Sequence, residues 1–197
     1  MKKHLQFDLV ILAMRLLLAF TLWNYGYSKL TGGQFGITET ELNTPIKDLS
    51  LFRISWHLFK YEPFNSFIGI SQIITAILLV YKRTYLLGAL IAIPVFLNIL
   101  MVDLTIMPLS FKIAFFFRLT FYLIFIGIIL WYHKDRVINA FRSLLNAPYL
   151  KFEHSKKWFL IVPFYMILLE ASSTIPKLIF YLIFYFDETI KMFSNLF

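Results

Sequence analysis

The chain has 197 residues, of which 59% are hydrophobic, 19% are aromatic and only 15% are charged. This composition excludes a water-soluble domain, because a soluble chain of this length has no core large enough to bury so many apolar side chains. The absence of cysteine excludes disulfides and thiolate metal sites. The net charge is +8, and its basic residues lie beside apolar segments, which is typical of membrane boundaries rather than of nucleic-acid binding.

Long apolar segments in chain order predict transmembrane helices. Four of them approach the roughly 20 residues that cross a hydrocarbon core about 30 Å thick, and they cover residues 9–27, 64–81, 85–102 and 113–132. A fifth candidate at 158–175 is interrupted by Glu170 and followed by Pro176. Whether this last segment crosses the membrane, kinks or lies on its surface stays open.

We therefore predict an all-α fold, a polytopic transmembrane helical bundle with a C-terminal hydrophobic helix. A four-helix bundle occupies residues 1–135, an amphipathic cytoplasmic linker 136–157, and a hydrophobic segment 158–197. An interfacial helix is expected in the loop after the first span, at about 48–61, because its apolar residues recur with a helical period. Asp48 or Thr44 would cap this helix, which either seals the bundle or gates a ligand.

The distribution of basic residues predicts the orientation. With the N-terminus in the cytoplasm, the cytoplasmic segments hold more Lys and Arg than the outer loops, where acidic residues accompany the positive charges. We expect a multi-pass protein of the bacterial inner (cytoplasmic) membrane with a cytoplasmic N-terminus. Membrane lipids are its expected partners, and nucleic acid is not one.

The first and second spans resemble those of a known family. Arg15, Gly26 and Lys29 recur with the spacing found in the opening helix of the DoxX-like membrane proteins, and a second match begins near Gly69 and includes the basic turn at Arg83. The resemblance covers about residues 9–135 and implies a four-helix transmembrane bundle. Some DoxX-like proteins are linked to redox complexes, including a thiosulfate:quinone oxidoreductase subunit. The resemblance thus implies a quinone as the bound molecule and a redox protein as partner.

Polar side chains inside the apolar segments predict an outward-facing pocket. Arg118 needs a partner at its depth, and Glu170 or Asp103 are the acids near it. The alternative is a static ion pair that docks the C-terminal helix. The expected ligand-binding residues are Arg118, Gln72, Asn98, Asp103, Glu170, Lys29 and Asn24, with Tyr25, Ser71 and Tyr122 near the mouth.

Arg15 is expected to be a structural charge within the first span, snorkelling or pairing helices. We predict no catalytic residue, no metal site and no intrinsic cofactor, since the four histidines lie in loops or at span ends. The favoured function is a non-catalytic subunit that binds a quinone, lipid or small solute and supports a redox partner. A structural or stress-related membrane protein, and a small homo-oligomeric transporter or pore, are the alternatives.

Overall fold

The structure is a computed structural model that describes residues 2–146 and 156–184 in two compact units, divided between Leu145 and Asn146. All regular structure in these ranges is helical. The first unit contains α1 (Lys2–Leu30), α2 (Glu39–Leu42), α3 (Leu51–Phe59), α4 (Phe64–Val80), α5 (Tyr85–Ile106), α6 (Leu109–Tyr132) and α7 (Lys134–Leu145). The second unit contains α8 (Val162–Phe184).

Four helical stretches are long and apolar enough to cross a membrane: Gln6–Leu30, Tyr85–Ile106, Leu109–Tyr132 and Lys157–Pro176. Helices α3 and α4 count as a fifth if they form one broken span, and the bend between them is 82°. Helix α4 alone has 17 residues, a length of roughly 25 Å. The prediction of an all-α polytopic transmembrane bundle is therefore confirmed.

Helices α1, α4, α5 and α6 form a ring in which α1 and α5 each pack against both α4 and α6. Successive helices of this ring run antiparallel. Leu18, Phe96 and Ile126 are fully buried at its centre, and large apolar side chains are exposed on the outside, where a lipid solvent accepts them. Residues 31–63 lie at one end, which we call the loop end; the other, where α1 begins, is the terminal end.

Two glycines set the close approach of α1 and α4. A Cβ atom at Gly26 would lie 2.6 Å from the Gly69 carbonyl oxygen and 2.8 Å from Cγ1 of Ile73. A Cβ atom at Gly69 would lie 2.7 Å from Cγ of Leu30. Small residues at such crossings let helix backbones pack in lipid by van der Waals contact. The crossing therefore fixes α4 against the part of α1 that carries Lys29.

Arg15 binds the C-terminus of α4 at the terminal end. Its guanidinium donates to the Leu79 carbonyl oxygen at 3.0 Å and the Val80 carbonyl oxygen at 3.3 Å. The same group stacks on the Tyr85 ring, 4.1 Å from the centroid. The last carbonyls of a helix have no intrahelical donor, so Arg15 serves as a cap supplied by a neighbouring helix.

The interfacial helix is shorter than the predicted range 48–61 and has another cap. Residues Ile46–Asp48 form a separate 3-10 turn, which moves the start of α3 past Asp48. The Ser50 hydroxyl accepts the Arg53 backbone N–H at 3.4 Å, so the prediction of Asp48 or Thr44 as cap is wrong. The side chain of Arg53, on α3, forms an ion pair with Glu41 on α2.

In the described residues of the second unit, a 3-10 turn at Lys156–Ile161 precedes one long helix. Helix α8 continues through Pro176 to Phe184. The hydroxyls of Ser172, Ser173 and Thr174 each donate to a carbonyl three residues earlier, at 2.7 Å. The predicted linker at 136–157 and the segment at 158–197 lie partly outside the described residues, and α7 belongs to the first unit.

Candidate ligand-binding cavity

A cavity of about 320 Å³ lies at the loop end of the four-helix bundle. Helices α4 and α5 form its walls, and α3 and the segment that follows α1 cover it. Five aromatic side chains make most of its surface apolar, and they are Phe35, Trp56, Phe59, Phe64 and Phe67. This volume is at the lower end of the range for ligand sites and is large enough for one small molecule.

The cover of the cavity is an aromatic cluster. The Phe35 ring lies edge-on to Trp56, with centroids 5.4 Å apart, and to Phe59, at 5.5 Å. Gly36 has a φ of 127°, and its N–H donates to the Trp56 carbonyl oxygen at 3.1 Å. That backbone conformation favours glycine, and it folds the segment after α1 back onto α3.

Lys29 places a buried ammonium group at the top of the cavity, with only 5% of the residue exposed. Its Nζ donates to Oε1 of Gln34 at 2.8 Å and to the Tyr25 carbonyl oxygen at 3.4 Å. The same Nζ lies 5.3 Å from the Phe35 ring centroid, within the range of a cation–π attraction. The predicted site residue Lys29 thus lines the cavity and holds its cover.

Two further predicted residues, Gln72 and Asp103, line the same cavity and are buried, with 2% and 6% exposed. Oε1 of Gln72 has no hydrogen-bond partner among the described residues. Lys29 and Asp103 attract each other electrostatically, yet within the described part of the chain they do not come within ion-pair distance. The cavity is therefore lined by a buried amide whose oxygen the described residues leave unpaired.

Asn98 and Phe67 mark the side of the cavity that faces outward from the bundle. Both line the cavity and are exposed, and Phe67 is 69% exposed. Both also lie within the apolar helices α5 and α4. The cavity is therefore open toward the surface that the lipid covers.

Arg118 does not line the cavity, and it forms no ion pair with Asp103, so this predicted partner is wrong. The guanidinium Nε donates instead to the Tyr122 hydroxyl at 2.8 Å, because Tyr122 follows one helical turn later on α6. The Thr21 hydroxyl donates to the same Tyr122 oxygen at 3.4 Å. Tyr122 is thus buried in the bundle, joining α1 to α6, and is not at the mouth.

Asn24 does not line the cavity, and Glu170 is not part of the unit that contains it. The Asn24 amide donates to the Phe20 carbonyl oxygen of its own helix at 2.8 Å, and its side chain is exposed. Glu170 belongs to α8 in the second unit, and its pairing with Arg118 stays a prediction. Of the seven predicted ligand-binding residues, the cavity brings together Lys29, Gln72, Asn98 and Asp103.

Sequence reasoning missed the residues that the loop contributes. Gln34 and Phe35 line the cavity, but they lie in an irregular segment where no hydrophobic period predicts a direction. The signal was the aromatic Phe35 between Gly33 and Gly36, since glycines mark a chain reversal that brings the residues between them back over the bundle.

Few polar groups line the cavity. The Ser71 hydroxyl is one of them, and it donates to the Ile68 carbonyl oxygen at 2.8 Å. The described residues contain no His, Asp and Glu cluster that would hold a metal ion. An apolar chamber with a few converging polar groups is typical of a site for an amphipathic ligand.

Comparison with known proteins gives a bacterial relative. The chain is 32% identical over 134 residues to the "Uncharacterized protein YwoB" of Bacillus subtilis (strain 168), and the match covers 66% of this chain and 80% of the relative. The sequence matches no protein-family model, and no solved structure matches it.

Proposed function

The chain belongs to the same family as YwoB of Bacillus subtilis, and we propose that it is a non-catalytic membrane protein that binds one small amphipathic molecule in its loop-end cavity. The observation that carries this proposal is Gln72, a buried amide on an apolar helix that lines the cavity and whose Oε1 has no partner among the described residues. An unsatisfied buried acceptor costs about 1–3 kcal/mol. A bound molecule that donates to it removes this cost.

The bound molecule is a quinone, a lipid or a small solute. The aromatic cover supports a flat or branched apolar body, and Lys29, Gln72 and Asp103, which all line the cavity, support a polar head. A quinone as the molecule and a redox protein as partner stay predictions of the DoxX-like resemblance. A pore through the single bundle is not favoured, because Leu18, Phe96 and Ile126 fill its centre.

We also propose that the protein lies in the bacterial inner membrane with its N-terminus in the cytoplasm. Support comes from the terminal end, where exposed Lys82 and Arg83 join α4 to α5 and α7 carries Lys134, Arg136 and Arg142. At the loop end, the basic residues are accompanied by the acidic residues Glu39, Glu41, Asp48 and Glu62. Retention of Lys and Arg in the cytoplasm favours this orientation.

Mass spectrometry of the purified protein tests the binding proposal. The full chain is extracted in mild detergent, and the molecules that stay bound are identified for the wild type and for Gln72→Leu. We expect a specific molecule that the variant loses. Asn24→Leu is the matched control, because it removes an amide of the same spans that does not line the cavity. Only bulk lipid in all three proteins would contradict the proposal and favour a structural role.

A further inference from the structure

Two hydrogen-bond acceptors in the cavity receive no donor from the described residues. Oε1 of Gln72 has no partner, and among the described residues the Asp103 carboxylate accepts no hydrogen bond from a side chain or the backbone. Of the donors that line the cavity, Lys29 already uses two of its three N–H groups to bind Gln34 and Tyr25. A molecule that donates at its polar end satisfies the two unpaired acceptors.

The charges of the site select a neutral molecule. Lys29 and Asp103 are of opposite sign and both line the cavity. Lys29 repels a cationic head, and an ammonium group on a ligand cannot accept a hydrogen bond from the remaining N–H of Lys29. Asp103 repels an anionic head, and a carboxylate donates nothing to Gln72. A hydroxyl group donates once and accepts twice, so it satisfies Gln72 or Asp103 and Lys29 together.

Building on the proposed ligand site, we propose that its ligand is a hydroxyl-bearing aromatic molecule of the phenol class, with its ring packed against the cluster of Phe35, Trp56 and Phe59. These rings are arranged edge-on and tilted around the cavity, which is the geometry in which aromatic rings attract. The hydroxyl lies toward Gln72 and Asp103, and an apolar tail leaves between α4 and α5 past Phe67. Acceptor-only molecules such as ethers and ketones leave both acceptors unpaired.

A matched pair of probes tests the hydroxyl. The full-length protein in lipid nanodiscs is titrated with para-hexylphenol and with its methyl ether, para-hexylanisole, each corrected for its partition into empty nanodiscs. The ether carries a methyl group in place of the one hydrogen that the site requires. We expect the phenol to bind about 10-fold more tightly, the equivalent of one hydrogen bond to a buried acceptor. Equal affinity, tighter binding of the ether, or binding of neither would overturn the inference.

Variants of the two acceptors locate the contact. Gln72→Leu and Asp103→Leu should each reduce the preference for the phenol severalfold and leave the affinity for the ether unchanged, while Asn24→Leu keeps the full preference. An undiminished preference in both acceptor variants would also overturn the inference. The comparison of the two probes on the wild type needs no variant to fold.

The outcome is separable from that of the proposed function. Equal binding of both probes in the cavity leaves the ligand site standing and removes the hydroxyl requirement alone. A molecule retained by the wild type and lost in Gln72→Leu supports the site even if neither probe binds. The absence of both retained molecule and probe binding contradicts the two proposals together.

Discussion

Individual charged residues have distinct structural roles in this protein, and Arg15 has the role of a helix cap. Its side chain caps the last carbonyls of α4 and stacks on Tyr85. Hydrogen bonds to a charged donor contribute more than neutral ones, so Arg15→Leu should lower the free energy of unfolding by about 2 kcal/mol. Equilibrium unfolding in mixed micelles measures the loss.

A control on the same end of the bundle separates this effect from the loss of a positive charge. Arg83 is exposed in the turn between α4 and α5, and Arg83→Leu should change stability by less than about 0.5 kcal/mol. Equal losses from Arg15→Leu and Arg83→Leu would contradict the capping role.

At the scale of elements, the contact between α1 and α4 depends on the absence of side chains. Gly26→Ala places a methyl group 2.6 Å from the Gly69 carbonyl oxygen, so the helices have to separate. We expect a loss of about 2 kcal/mol despite the better helix propensity of alanine. Gly127→Ala is the matched control, because a Cβ there meets nothing within 4 Å, and it should be neutral or stabilising. The same unfolding assay compares the two.

The link between α2 and α3 predicts a pH effect confined to the loop. Arg53 donates to both carboxylate oxygens of Glu41 and the Thr38 N–H donates at 2.8 Å, which lowers the Glu41 pKa from 4.5 to about 2. Because the folded pKa is below the unfolded one, the contact is complete above about pH 5 and is lost as the pH falls toward the folded pKa.

Hydrogen exchange of the loop amides measures this contact. Protection of residues 38–53 should decrease as the pH falls through that window, after correction for the intrinsic rate. Glu41→Gln should show the low protection at every pH, since its amide cannot form the ion pair. A wild-type loop whose protection does not change with pH would contradict this function of Glu41.

At the scale of the whole molecule, orientation is testable because the natural chain contains no cysteine. Single variants Lys47→Cys, in the loop, and Lys82→Cys, in the turn between α4 and α5, lie at opposite ends of the bundle. We expect an impermeant maleimide to label Lys47→Cys in intact cells and Lys82→Cys only after lysis. The reverse pattern would place the N-terminus outside.

The sequence predicts the bundle well because its apolar runs and basic turns are local signals. The cavity is less predictable, since Gln72 and Asp103 meet only through the packing of α4 against α5. Arg118 shows why depth in the membrane is a weak guide to partners: residues at one level face different directions, and Arg118 binds Tyr122 on its own helix and not Asp103. The loop residue Phe35 points over the bundle because of the backbone conformation at Gly36, and no hydrophobic period in the sequence predicts that conformation.

The outward opening of the cavity at Phe67 and Asn98 decides how affinity for this protein has to be expressed. A ligand that enters between α4 and α5 comes from the bilayer, so its effective concentration is its mole fraction in lipid and not its amount in water. Each methylene added to the tail makes transfer from water into lipid more favourable by about 0.8 kcal/mol, which raises that mole fraction. Apparent constants measured against total ligand then improve with tail length without any new contact, and they weaken when more lipid is added. Dissociation constants per mole of lipid are the ones that report the cavity.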